Sequence, residues 1–196
     1  MNKKAQKILE TTVKLFIRDG IKKITMDDIA KYSKSSKVTV YKYFVDKDTL
    51  FLEVSKYIFF NYTERLKSII TSHDMLIKKL YRFLDVISDF SDSKELELCR
   101  ELSGYNNIIE AEYETYLQTY RHTLLTLINY GIENGLIKGN MDTEIIYRYI
   151  DMGVVYYQQC AEYRKIINND SGFKKRFMLF YISNIFVDGE KILSAI

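Results

Sequence analysis

Apolar residues recur at helical spacing along almost the whole chain. Over residues 3–19, Ala5, Ile8, Leu9, Val13, Phe16 and Ile17 define one face, with Lys3, Lys4, Lys7 and Lys14 off it, and Gly20 supplies a stop. Ile21 and Ile24 cover the base of a small core. Residues 25–47, TMDDIAKYSKSSKVTVYKYFVDK, read as a short helix, a tight turn, a second short helix and the start of a third. Thr25 is an N-cap, with Asp27 and Asp28 in the first turn, where negative charge suits the helix dipole. Ile29 and Ala30 point inward, the pattern fades at Tyr32 and Ser33, and Lys34-Ser35-Ser36 is the turn. Ser36 caps a helix over Lys37 to Tyr43, with Val40 and Phe44 inward. Asp46 caps a long helix over 47–72, whose stripe is Leu50, Val54, Ile58 and Tyr62; Phe51, Leu52, Phe59 and Phe60 make it apolar on several sides.

The remainder is patterned in the same way. Helices are expected over 75–90, 94–103, 108–134, 143–168 and 172–194, separated by Ser91–Ser93, by a loop at Gly104-Tyr105-Asn106-Asn107, by Asn134-Gly135 with a connector to Met141, and by Asn168 to Gly172. The sum is an all-α protein of about nine helices. It has a three-helix head over 1–47, with the last head helix following a tight turn, and a larger helical body over 48–196.

The chain has no proline and only eight glycines, which suits long uninterrupted helices. No apolar run approaches the ~20 residues that span a bilayer, and the N-terminus is an amphipathic helix rather than a signal peptide. No membrane partner and a cytoplasmic location are therefore expected. Cys99 and Cys160 are isolated, consistent with free thiols. Charge is divided unevenly: residues 1–50 carry twelve Lys/Arg against six Asp/Glu, a net +6, and residues 51–196 a net −3. A basic end on a slightly acidic body is the footprint of a nucleic-acid-binding head.

The helix over 37–43 gives that footprint a reader. Lys37, Thr39, Tyr41 and Lys42 lie off its inward side and offer two cations, two hydroxyls and an aromatic edge from a short rod that fits a major groove. The same residues would also serve as a plain solvated face. What weights the DNA reading is that residues 8–54 resemble the N-terminal domain of TetR-type (TetR/AcrR) transcriptional regulators. The resemblance is carried by Ile8, Leu9, Leu15, Phe16, Gly20, Thr25, Ile29, Ala30 and the run Ser36-Lys37-x-Thr39-x-Tyr41-x-Tyr43-Phe44, followed by Lys47, Leu50 and Phe51. It implies a helix-turn-helix that contacts double-stranded DNA through Thr25, Ser36, Lys37, Val38, Thr39, Tyr41, Lys42, Tyr43 and Lys47. Two departures stand out. Lys34-Ser35 replaces the usual Gly-Val, so a non-glycine residue faces a left-handed turn, at roughly 1 kcal/mol. Val38 replaces a smaller residue, within reach of a thymine methyl group.

The resemblance also implies a homodimer built from the last two helices, with Met152, Val155, Gln159, Phe177, Phe180, Tyr181, Asn184 and Ile185 as interface candidates, and a small-molecule effector of unknown identity. The body holds fourteen of the seventeen tyrosines, a composition suited to a pocket for flat or greasy molecules. Pocket candidates are Tyr81, Leu84, Cys99, Tyr105, Tyr120, His122, Tyr156 and Tyr157; each is equally a core or surface residue. The expected function is a dimeric, ligand-responsive regulator, a repressor on a palindromic operator. The alternative is a DNA-binding regulator with no small-molecule ligand, controlled by a protein partner. A helical enzyme is disfavoured: there is no Gly-rich phosphate loop, no metal-ligand spacing and no nucleophile–base pair. No catalytic residue, metal or cofactor is expected.

Overall fold

A computed structural model describes residues 2–103 and 108–189. Among them are ten α-helices: α1 (Lys3–Asp19), α2 (Met26–Tyr32), α3 (Lys37–Tyr43), α4 (Lys47–Thr71), α5 (Leu76–Ser91), α6 (Lys94–Ser103), α7 (Ile108–Glu133), α8 (Thr143–Gln159), α9 (Ala161–Asn168) and α10 (Ser171–Ser183). The all-α expectation holds, with Ile137 and Phe186 forming an isolated antiparallel bridge between non-helical segments.

The described chain forms two compact units, Met1–Tyr62 with Asp92–Leu117, and Thr63–Ser91 with Gln118–Ile196. In the first, Ile8, Leu9 and Phe16 of α1 meet Ile29 and Ala30 of α2 and Val40 of α3, all buried. Phe44, Leu50 and Phe51 complete this core, with Phe16 and Phe51 packed edge to face at 5.7 Å. A core this small constrains α3 because Val40 has no exposed surface and its neighbours on the far side of the helix have no core to enter.

In the second unit α5 is buried along most of its length, from Leu76 to Phe90, and packs on α8 and α10. Lys174 of α10 bridges Asp85 and Asp89 of α5 at 3.2 and 3.9 Å. Two differences from the sequence pattern arise here. The helix expected over 143–168 is broken at Cys160, whose backbone is extended (φ −102°, ψ 102°). The thiol accepts the Tyr163 amide at 3.4 Å and so caps α9, while the Arg164 guanidinium bonds the carbonyls of Tyr157 (3.1 Å) and Gln158 at the end of α8. The break is thus satisfied on both sides without glycine or proline. The last helix ends at Ser183 rather than running on to 194. Beyond it, Lys138 donates its amide to the Ile185 carbonyl (2.9 Å) and Val187 its amide to the Leu136 carbonyl (3.0 Å). The chain therefore turns to pair with the α7–α8 connector. Residues 190–194 of that expected helix lie outside the described residues.

Candidate nucleic-acid interface

The head presents α3 by two interlocking caps and a turn. Thr25 and Asp28 form a capping box: the Asp28 amide donates to Thr25 Oγ1 (3.2 Å), and Asp28 Oδ2 accepts from the Thr25 amide (3.0 Å) and hydroxyl (2.6 Å). These bonds, the hydroxyl's first, hold the Asp28 carboxyl below the ordinary carboxylate range. At the other end of α2 the Ser35 amide bonds the Ala30 carbonyl (3.0 Å) and the Lys34 amide the Lys31 carbonyl (3.2 Å). This is a Schellman turn, and its left-handed position is filled by Lys34 at φ 55°. Ser36 then caps α3, accepting the Thr39 amide at 3.1 Å, with the Ser36 and Thr39 hydroxyls 2.8 Å apart.

With Val40 buried, the rest of α3 faces outward. Val38 is 79% exposed and Tyr41 48% exposed, and Ser36, Lys37 and Lys42 are exposed beside them. Thr39 and Tyr43 are half-buried, the latter with its ring 6.3 Å from Phe44. Lys37 Nζ lies 2.6 Å from Asp27 Oδ2, a contact that raises the lysine's pKa. Lys47, in the first turn of α4, is half-buried; its Nζ donates to the Ile21 carbonyl at 2.9 Å and sits 5.6 Å from the Phe51 ring centre. Asp46 caps α4 by accepting the Thr49 amide at 2.7 Å. Thr25, the residues of α3 and Lys47 of α4 thus all lie in the first unit. The Lys37–Asp27 pairing joins two residues that sequence reasoning treated separately, and nothing in a linear pattern ties a loop-flanking Asp to a lysine ten positions on.

Residues 8–54 match the profile of the family described as "Bacterial regulatory proteins, tetR family". The chain is also 26% identical over 157 residues to the uncharacterized HTH-type transcriptional regulator YdeS of Bacillus subtilis, covering 77% of this chain and 75% of that protein. Residues 8–54 thus carry a TetR-family N-terminal domain. Solved structures agree on the TetR fold. A protein of Mesorhizobium loti assigned to the TetR family superposes with a TM-score of 0.62 at 20% identity, over 81% of this chain and 86% of that one. A Saccharomonospora viridis protein solved with choline superposes at 0.66 and 16% identity, over 95% and 100%. TetR-family proteins are DNA-binding transcription factors, not enzymes. Among the described residues no cluster of His, Cys, Asp or Glu could hold a metal ion, and no helix is long and apolar enough to cross a membrane.

The pocket candidates are not brought together. Leu84 and Tyr157 line an apolar cavity of about 50 Å³ in the second unit, together with Gly153, Tyr163, Phe177 and Tyr181. Cys99 lines a different cavity, of about 210 Å³ and confined to the first unit, with Phe59, Arg100 and Tyr113. Burial pushes the Cys99 thiol up to about 12, so it stays protonated. Tyr120 is buried, packs on Phe83 at 5.1 Å and donates to Asp151 at 2.8 Å. Tyr81 is half-buried, His122 is exposed, and Tyr156 is exposed with its ring 4.8 Å from Tyr163. Tyr105 lies outside the described residues.

Of the interface candidates, Met152 (63% exposed), Val155, Gln159, Phe180 (60% exposed) and Asn184 face outward from α8 and the end of α10. Phe177 and Tyr181 turn to the cavity instead, and Ile185 is buried within the protomer. Exposed Ile145, Tyr156 and Phe173 extend the outward apolar surface. Gly153 of α8, Tyr163 of α9 and Met178 of α10 also line the cavity and escaped sequence reasoning; for Tyr163 the reason is the break at Cys160, which no glycine or proline marks.

Proposed function

We propose that the chain is a dimeric repressor that reads a palindromic operator with α3 and releases it in response to a small hydrophobic or aromatic effector. TetR-family regulators generally bind DNA as dimers and are often ligand-responsive. The observation that carries the DNA part is Val38: an apolar side chain left 79% exposed at the start of a helix, flanked by Lys37, Tyr41 and Lys42. A solvated face gains nothing from valine there, whereas a thymine methyl group matches it. Thr25, Ser36, Thr39, Tyr43 and Lys47 complete the proposed contact set. Met152, Val155, Phe180 and their neighbours supply the dimer face, an apolar patch that a second copy would cover. A two-fold pair would set the recognition helices about 34–36 Å apart, one turn of DNA. The division into a DNA-binding head over 1–47 and an effector and dimerisation body over 48–196 belongs to this proposal.

Selection of duplexes from a random pool by the full chain tests the reading. A palindrome with half-sites a helical turn apart, and a changed base preference with Val38→Ala, are expected. Recovery of no preferred sequence overturns it.

A second reading, control by a protein partner, draws on the size of the two cavities that the pocket candidates line: neither reaches the ~300 Å³ of ordinary ligand sites, and the space of about 550 Å³ beside α9 is an open surface hollow lined by Glu162, Lys165, Ile166, Asn169, Asp170 and Phe173. Operator binding that is indifferent to apolar and aromatic compounds but changed by a co-purifying protein would favour it.

A further inference from the structure

We infer that Lys34, in the turn between α2 and α3, is a DNA contact in its own right: its ammonium holds a phosphodiester at the rim of the major groove that α3 enters. The inference rests on the DNA reading above, but not on the dimer or the effector.

The backbone raises the question. Lys34 sits at φ 55°, a conformation that glycine adopts freely and that asparagine or aspartate tolerates better than lysine. The turn does not need the side chain. Its two closing bonds, from the Ser35 amide to the Ala30 carbonyl and from the Lys34 amide to the Lys31 carbonyl, are made by the main chain. Nor does the fold use it. Lys34 is exposed, and among the described residues its side chain makes no hydrogen bond, ion pair or ring contact. Other lysines of the head differ: Lys37 pairs with Asp27, Lys47 bonds the Ile21 carbonyl, and Lys31 lies 5.9 Å from the Tyr32 ring centre. A strained residue whose side chain has no role inside the fold points to a partner outside it.

Position and charge say what that partner is. With seven residues α3 is about 10 Å long, against a groove ~12 Å wide. The chain entering and leaving such a helix passes over the two rims of the groove, and the rims are phosphate. Lys34 stands two residues before the cap Ser36, at most ~7 Å of chain away. Lys47 stands at the exit, in the first turn of α4. Lys37, at the entry, has its charge engaged by Asp27, so Lys34 is the cation that meets the entering rim. A lysine serves a phosphate as a point charge on a flexible stem, and such a contact fixes register without reading bases. The glycine usual at this position in the TetR pattern has no group to make it.

The test measures binding of the full chain to two fluorescein-labelled duplexes, the one recovered by selection and one of mixed sequence, over a range of salt. Lys34→Gly and Lys34→Asn remove the charge and ease the backbone, so neither should unfold the head. Each should weaken binding to both duplexes alike, by a few-fold at low salt. Each should also lower the slope of log K against log salt by about 0.9 for every bound protomer. Lys34→Arg keeps both charge and strain and should bind as the parent does. Unchanged slopes in the glycine and asparagine variants overturn the contact, as does a loss in only one of the two, or an arginine variant that fails with them. A loss confined to the selected duplex makes Lys34 a base reader and overturns the phosphate assignment. A parent protein that binds neither duplex in a salt-dependent way sinks the DNA reading itself, a result distinct from all of these.

Discussion

Lys37 Nζ lies 2.6 Å from Asp27 Oδ2, tying the first turn of the proposed recognition helix to the first turn of the helix before it. Both side chains are more than half exposed, so the pair adds little to the fold. Its consequence falls on DNA. Lys37 must exchange a carboxylate for a phosphate or base edge, and Asp27 stays behind as a negative charge beside the backbone. Asp27→Asn is therefore expected to tighten binding to any duplex by a few-fold at low salt, with the advantage shrinking as salt rises. Fluorescence anisotropy with operator and with unrelated DNA at two salt concentrations reads this out. Equal or weaker binding would mean that Asp27 positions Lys37 rather than competes for it.

Lys47 makes a second trade. Its ammonium at the N-terminus of α4 opposes the helix dipole, yet it is held there by the Ile21 carbonyl at 2.9 Å. Lys47→Met keeps most of the stem against Phe51 and removes the charge together with its bond to the Ile21 carbonyl, a loss that relief of the dipole opposition partly offsets. The slope of log K against log salt should fall in magnitude by about 0.9, one phosphate, while the melting temperature changes little. An unchanged slope removes Lys47 from the DNA contacts.

Much of the head was legible from sequence because its determinants are local. Thr25 and Ser36 cap the helices they were expected to cap, and Lys34 takes the left-handed conformation that the missing glycine implies. The body was less legible because its determinants are not local. Cys160 breaks a helix through a thiol cap and an arginine four residues on, neither of which is a recognised stop signal. The last helix ends early because Ile185 and Val187 bond the connector around Leu136 and Lys138, some fifty residues away. Tyrosine content pointed to a pocket but not to its members: Leu84 and Tyr157 share a cavity, while Cys99 lines another.

The strain at Lys34 offers a direct gain. Its backbone already makes both Schellman bonds, so Lys34→Gly keeps the turn and relieves a left-handed penalty of about 1 kcal/mol or more. The added freedom of glycine in the unfolded chain offsets part of this, by roughly 0.5–1 kcal/mol. The net expectation is a head more stable by up to about 0.5 kcal/mol, seen as a raised denaturant midpoint with an unchanged slope. A lower midpoint would show that the Lys34 side chain contributes more than its backbone loses.

Gly153 sets two effects of known size against each other. In an exposed helix, Gly→Ala gains about 1 kcal/mol. Here a Cβ on residue 153 would stand 2.8 Å from Cζ and the hydroxyl oxygen of Tyr181. That ring cannot simply swing away, because Tyr149 and Tyr181 stack at 4.6 Å and each hydroxyl bonds the other's carbonyl. Overpacking of this kind costs about 1–3 kcal/mol, so Gly153→Ala should destabilise the protein on balance, by about 1 kcal/mol, despite the better helix former. Tyr181→Leu removes the atoms that clash, at its own cost in lost stacking. In the double variant the alanine should become stabilising. A double-mutant cycle on thermal or denaturant unfolding gives the coupling, expected to be at least about 1 kcal/mol. Additive changes would mean that α8 and α10 shift apart freely at this point. The close approach of Gly153 and Tyr181 would then not be what holds the two helices in register.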